Sequence, residues 1–145
     1  MFILAHLITG LIIGKLSGNY TAALIGSLAV DLDHLAVYIL HKILSSPKKF
    51  WQTVINPDDS YGNQRNFLHS FFAWLPVSGI ATAINFGAGV AFSISYLVHL
   101  LLDMIDSSDF HPLYPIRLNI KGPIRYLSKS EIAFTFVMFF VFLLL

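Results

Sequence analysis

A chain of 145 residues with 56% hydrophobic side chains and a mean hydropathy of +0.71 is too apolar for a soluble globular protein, and its length suits one domain, residues 1–145. Nine Lys or Arg against eight Asp or Glu give a formal net charge of +1 with no polybasic face, which excludes a nucleic-acid partner. The absence of cysteine excludes disulfides and thiolate zinc sites, so any metal is held by nitrogen and oxygen.

Residues 1–14 are apolar, but no basic segment precedes them. They read as a retained first helix rather than a cleaved secretory signal. That helix is expected over residues 2–16, with His6, Gly10, Gly14 and Gly18 recurring every fourth residue as one stripe. Small residues at this spacing let a second helix approach closely, and His6 then points into the bundle.

A second helix is expected over residues 20–44, with Ala22 and Gly26 as packing positions. Its apolar run is broken by Asp31-Leu32-Asp33-His34. A charge near the centre of a membrane helix costs roughly 2.5–3.5 kcal/mol on insertion scales, so two carboxylates need a cation, a proton or a water-filled cavity. Asp31 and His34 share a face, whereas Asp33 lies about 160° from Asp31 around an ideal helix. Either the helix distorts here or one carboxylate acts from behind.

Residues 45–66 turn polar, with Ser46-Pro47 as a helix start and Asn56-Pro57-Asp58-Asp59 as a turn. Lys48, Lys49, Phe50 and Trp51 suit a short piece lying among lipid headgroups. A third helix, residues 67–86, opens with His69-Ser70 and is expected to kink at Pro76, with Asn85, Gly87 and Gly89 forming the next turn. A fourth, residues 88–105, sets His99 and Asp103 four apart with Asp106 further along the same stripe. Residues 106–129 carry Pro112, Pro115, Gly122 and Pro123 and read as a folded loop or small hairpin around Lys121-Gly122. Ser128-Lys129-Ser130-Glu131 fits a capping box for a last helix reaching Leu145, about 22–25 Å long at 1.5 Å per residue. The expected fold is all-α, a polytopic membrane helical bundle of about five transmembrane helices with a buried metal site.

Basic residues set the orientation. Lys42, Lys48, Lys49 and Arg65 mark the second connection and Arg117, Lys121, Arg125 and Lys129 the fourth, which places both, and the N-terminus, in the cytoplasm. His6, Asp31, Asp33, His34, His69, His99 and Asp103 then fall at one depth near the inner surface. These seven are the candidate metal ligands. Imidazole and carboxylate suit Zn, Mn, Fe or Ni, and seven candidates exceed the three that one catalytic zinc uses, so one or two divalent ions are expected, zinc first among them. A transporter or ion-conducting protein is the alternative use of the same residues. A pathway needs polar groups across the whole depth, and the outer halves of the helices hold few beyond Ser and Thr.

In order and spacing these motifs resemble the YdjM-type family of inner-membrane proteins, for which metal-dependent hydrolysis is the expected activity. The resemblance rests on His6 with Gly10 and Gly14, Asp31-Leu32-Asp33-His34, Arg65 with His69-Ser70, His99 to Asp103, and Leu113-Tyr114-Pro115. Val30 and Leu68 stand where the family usually has Pro and Thr. The His-x-x-x-Asp helix is also similar, more distantly, to zinc-dependent phospholipase C and related nucleases, which implies phosphoester chemistry. On this reading Asp31 and Asp33 supply a general base and Arg65 holds a phosphate or anchors a headgroup. Membrane lipids are the expected partners, and a lipid or other amphiphilic phosphoester the expected substrate.

The orientation is testable because the chain has no cysteine of its own. Cysteines placed at Ser60 and Lys121 should resist membrane-impermeant thiol reagents in intact cells, while one at Asn19 should react. The reverse pattern would move the site to the other leaflet.

Overall fold

The computed structural model describes residues 3–55, 65 and 67–145. The turn expected at Asn56-Pro57-Asp58-Asp59 lies outside the described residues. Seven α-helices are described: α1 (Ile3–Ser17), α2 (Tyr20–Leu28), α3 (Leu32–Leu40), α4 (Pro47–Ile55), α5 (Phe71–Ile84), α6 (Phe86–Ile105) and α7 (Lys129–Leu144). Single 3-10 turns, Ala29–Asp31 and Ile43–Ser45, follow α2 and α3.

Side-chain caps decide where most of these helices begin. Asn19 accepts the Ala22 amide at 3.1 Å, Ser70 the Phe72 amide at 3.1 Å, and Asn85 the Ala88 amide at 3.0 Å. Each satisfies an N–H that the first turn would otherwise leave without a partner. Ser128 accepts the Glu131 amide at 3.3 Å, and Glu131 reaches back to the Leu127 amide at 2.6 Å, one residue earlier than a standard capping box.

The same caps shorten the bundle. Only Tyr20–Leu40 and Phe86–Ile105, 21 and 20 residues, are long and apolar enough to cross a membrane among the described residues. The expectation of about five such helices is therefore corrected to two. Capping at Ser70 and Asn85 leaves α5 at 14 residues, and α1 has 15. At 1.5 Å per residue these reach about 21 and 23 Å, short of the roughly 30 Å hydrocarbon core. Their apolar surfaces are nonetheless open, with Ile84 of α5 80% and Leu16 of α1 68% exposed. Surfaces of this kind call for an apolar solvent.

The helix expected over residues 20–44 is broken. Ala29–Asp31 switches to 3-10 pairing, and α3 stops at Leu40, where Lys42 takes up a left-handed conformation (φ 51°). Ser46-Pro47 does start a helix, α4, whose Phe50 ring meets Tyr38 edge-on. α5 runs through Pro76.

α6 packs against α1, α2 and α5, and α2 also packs against α1. The glycine stripe of α1 works as expected, since a Cβ on Gly10 would stand 2.2 Å from Ser27 Oγ and one on Gly14 2.7 Å from the Tyr20 ring. The α2–α6 crossing is tighter in kind, because a Cβ on Gly26 would meet the Phe92 backbone carbonyl at 2.3 Å. Backbone cannot swing aside as a side chain can. Below the crossing, Val30, Tyr96, Leu100 and Phe110 form a buried apolar cluster with Leu68, Phe71 and Trp74 against it.

Residues 106–128 fold back over the ends of α5 and α6. Phe110 and Ile120 exchange amide–carbonyl hydrogen bonds, and the Phe71 amide donates to Pro112 O at 2.8 Å. The reversal thus spans residues 111–119, which correct the expected hairpin centre at Lys121-Gly122; Gly122 instead donates its amide to Asp106 O at 2.7 Å. At the base of this loop the Asn119 amide and Lys121, whose Nζ is 3.0 Å away, hold the Asp109 carboxyl below the usual carboxylate range.

Gly26→Leu should destabilise the protein by about 1–3 kcal/mol or more, since overpacking here meets main chain. Gly79→Ala, with nothing within 4 Å of the added carbon, should leave the thermal midpoint in detergent unchanged or slightly raised. Equal midpoints for Gly26→Leu and wild type would show the crossing to be loose.

Candidate metal centre

Four segments bring five ionisable side chains to one place. α1 supplies His6, the 3-10 turn Asp31, the residue before the α5 cap His69, and α6 both His99 and Asp103. His6, His69, His99 and Asp103 are buried, and Asp31 is partly exposed.

Proton positions follow from the partners. His99 Nδ1 lies 2.7 Å from the Ser27 carbonyl oxygen, which only accepts, so Nδ1 carries a proton and, in the neutral ring, Nε2 keeps a lone pair. His69 Nδ1 lies 3.2 Å from Asp33 Oδ2, a carboxylate, and the same assignment follows. The two Nε2 atoms face each other at 3.3 Å. With both rings neutral, two lone pairs at that distance repel, and either a proton or a metal ion between them relieves the repulsion.

The surrounding oxygens complete a cage for one. Asp103 Oδ2 is 3.4 Å from both Nε2 atoms, and Asp31 Oδ1 is 3.6 Å from that of His69 and 3.7 Å from that of His99. A tetrahedral zinc with ligands at about 2.0–2.1 Å separates them by about 3.3–3.4 Å, the tetrahedron's edge. Asp31, His69 and His99 form one group that could hold a divalent ion and His6, His99 and Asp103 another, each with nitrogen and oxygen donors, and Asp103 Oδ2 lies beside the first group.

The local break in the second helix makes this possible. In a 3-10 turn each amide reaches back three residues rather than four, so a carbonyl of the preceding turn is released, and Ser27 O accepts from His99. The break also answers the 160° problem between the two carboxylates. Asp31 approaches His69 from its Nε2 side and Asp33 from its Nδ1 side, so the imidazole lies between them. Asp33 Oδ2 further accepts the Leu68 amide at 2.8 Å and the His69 amide at 3.3 Å. A carboxylate behind a ligating imidazole fixes its tautomer and raises its basicity.

The other candidates stand around this set. His6 is stacked on His99, ring centroids 3.8 Å apart, with its Nε2 3.4 Å from Asp103 Oδ1. His34 Nε2 is 3.4 Å from Asp31 Oδ1 and its ring meets His69 edge-on at 5.2 Å. Arg65, 7% exposed, points inward to Asp106 Oδ2 at 2.7 Å and Asp103 Oδ1 at 3.2 Å. That corrects the headgroup-anchor reading of Arg65, because two buried carboxylates draw the guanidinium inward.

Two participants were not among the expected site residues. Asp106 carried a signal, its place on the His99–Asp103 stripe, while Ser27 takes part through its main chain and so left none.

The YdjM inner membrane protein family matches residues 1–145, the whole chain. The chain belongs to that family. No curated protein and no solved structure matches it. Membership of the YdjM family makes this an inner membrane protein, in keeping with the two helices long enough to cross.

Asp33→Asn removes the charge behind His69 while keeping a group of the same size. Metal affinity, measured by chelator competition in detergent, should fall about 10–100-fold with the number of ions bound at saturation unchanged. Loss of the ion even at saturation would make Asp33 a direct ligand.

Proposed function

We propose that this YdjM family chain is a membrane-embedded metal-dependent hydrolase acting on a phosphoester of a lipid or amphiphile. The observation that carries the proposal is the pair of facing imidazole Nε2 atoms, 3.3 Å apart, with a carboxylate oxygen 3.4 Å from both. A divalent ion held there, zinc by preference, supplies an acidified water and polarises a phosphoryl oxygen.

The chain's own residues do the rest. Asp31 would face the ion with Oδ1 and act as base through its other oxygen, being the carboxylate of the set that reaches the opening, with a side chain 24% exposed. His34, 25% exposed, flanks it and marks the side from which substrate arrives. Asp33 orients His69, and the Ser27 carbonyl orients His99. Arg65 steadies Asp103 from the opposite side.

An amphiphilic substrate is favoured by depth. Ligands within two or three helical turns of the surface lie about 5–15 Å down, and a headgroup already in that layer needs no further descent. Lys48, Lys49, Arg117 and Arg125 lie on exposed or half-exposed segments whose charge suits an anionic headgroup.

Purified protein should contain divalent metal, and His99→Ala or Asp103→Ala should lose it. With metal bound, a long-chain phosphoester in micelles should turn over faster than a short-chain analogue with the same headgroup, with His69→Ala as the blank. Equal turnover by wild type and blank, or preference for the soluble analogue, would sink the lipid-hydrolase reading.

A further inference from the structure

Asp103 is placed as a bridging carboxylate. Its Oδ2 faces His69 and His99, while its Oδ1 faces away, towards His6 Nε2 at 3.4 Å and Arg65 at 3.2 Å. In two-metal hydrolases a carboxylate so placed has an ion on each oxygen, the ions about 3.5–4 Å apart. Here the far side also has a ligand set: Asp103 Oδ1, Asp106 Oδ2 and His6 Nε2, whose ring nitrogens have no hydrogen-bond partner although the residue is 1% exposed.

That second position is taken. One guanidinium nitrogen, Arg65 Nη2, contacts both oxygens, 2.7 Å from Asp106 Oδ2 and 3.2 Å from Asp103 Oδ1. We infer that the centre holds a single metal ion and that the Arg65 guanidinium occupies the place of the second ion of a dinuclear centre. The inference rests on the metal-centre reading above.

Charge favours the same arrangement. Asp103 and Asp106 already have the Arg65 guanidinium against them, and a second divalent ion beside it would bring two further positive charges into a buried site. Uncompensated buried charge is strongly unfavourable. A fixed cation also differs from an exchangeable one, since Arg65 has no open coordination position and binds no water to be activated. It stabilises negative charge and nothing else, so a single ion must supply both the nucleophile and the phosphoryl contact.

The test counts ions per chain in detergent-purified protein, by elemental analysis and by native mass spectrometry after zinc loading and desalting. Wild type should hold one zinc, and His6→Ala should still hold one, because His6 lies outside the occupied set. Arg65→Ala should rise to two, Arg65→Lys should stay at one, and the double variant Arg65→Ala with His6→Ala should return to one. Two ions in wild type would overturn the inference while leaving the metal-centre reading intact. A folded Arg65→Ala protein with one ion would also overturn it. If Arg65→Ala does not fold, the wild-type and His6→Ala counts still decide. No ion in any of these proteins would sink the metal-centre reading, and this inference with it.

Discussion

Two imidazole nitrogens, facing each other across 3.3 Å, set the terms for the rest of the fold. Each orientation is enforced from behind, His99 by a main-chain carbonyl and His69 by a carboxylate. Neither ring can turn without abandoning that bond. A site held this rigidly would receive an ion without rearranging, since its donor atoms are already fixed by their own hydrogen bonds.

Holding the rings this way accounts for irregularities elsewhere. The 3-10 turn inside an otherwise apolar helix would be a defect in a simple span, yet it frees the Ser27 carbonyl and swings Asp31 towards the histidines. Tyr96, on α6, donates its hydroxyl to the Leu68 carbonyl and so ties the segment carrying His69 to the helix carrying His99. Glycines at the α1–α2 and α2–α6 crossings let three backbones approach closely enough for side chains from all three to meet.

Much of this was legible in the sequence, for a physical reason. Charged groups in apolar helices must find one another, so His6, Asp31, His69, His99 and Asp103 announced a common site by their depth alone. Ser128 and Glu131 announced a helix start because capping is a local interaction. The 160° between Asp31 and Asp33 announced a distortion or a carboxylate acting from behind, but the place of the break at Ala29 was not legible, because Leu28, Ala29 and Val30 are ordinary helical residues and the distortion answers to partners on α6 and before α5. Which carboxylate stands behind was hidden for the same reason, since it depends on the amides of Leu68 and His69. The span count was overestimated because apolar composition was taken as length, whereas Ser70 and Asn85 end the helical ladder sooner.

The unequal sealing of the centre carries a kinetic consequence. Among the described residues His69, His99 and Asp103 are closed off, and the open edge of the site is the one formed by Asp31 and His34. An ion held by this site would come and go past Asp31. Its exchange would then run at the rate at which the start of α3 loosens, however weak or strong the equilibrium affinity. A metal so held would be the one met while the chain folded into the bilayer, and the supply at that moment, rather than competition afterwards, would determine the occupant.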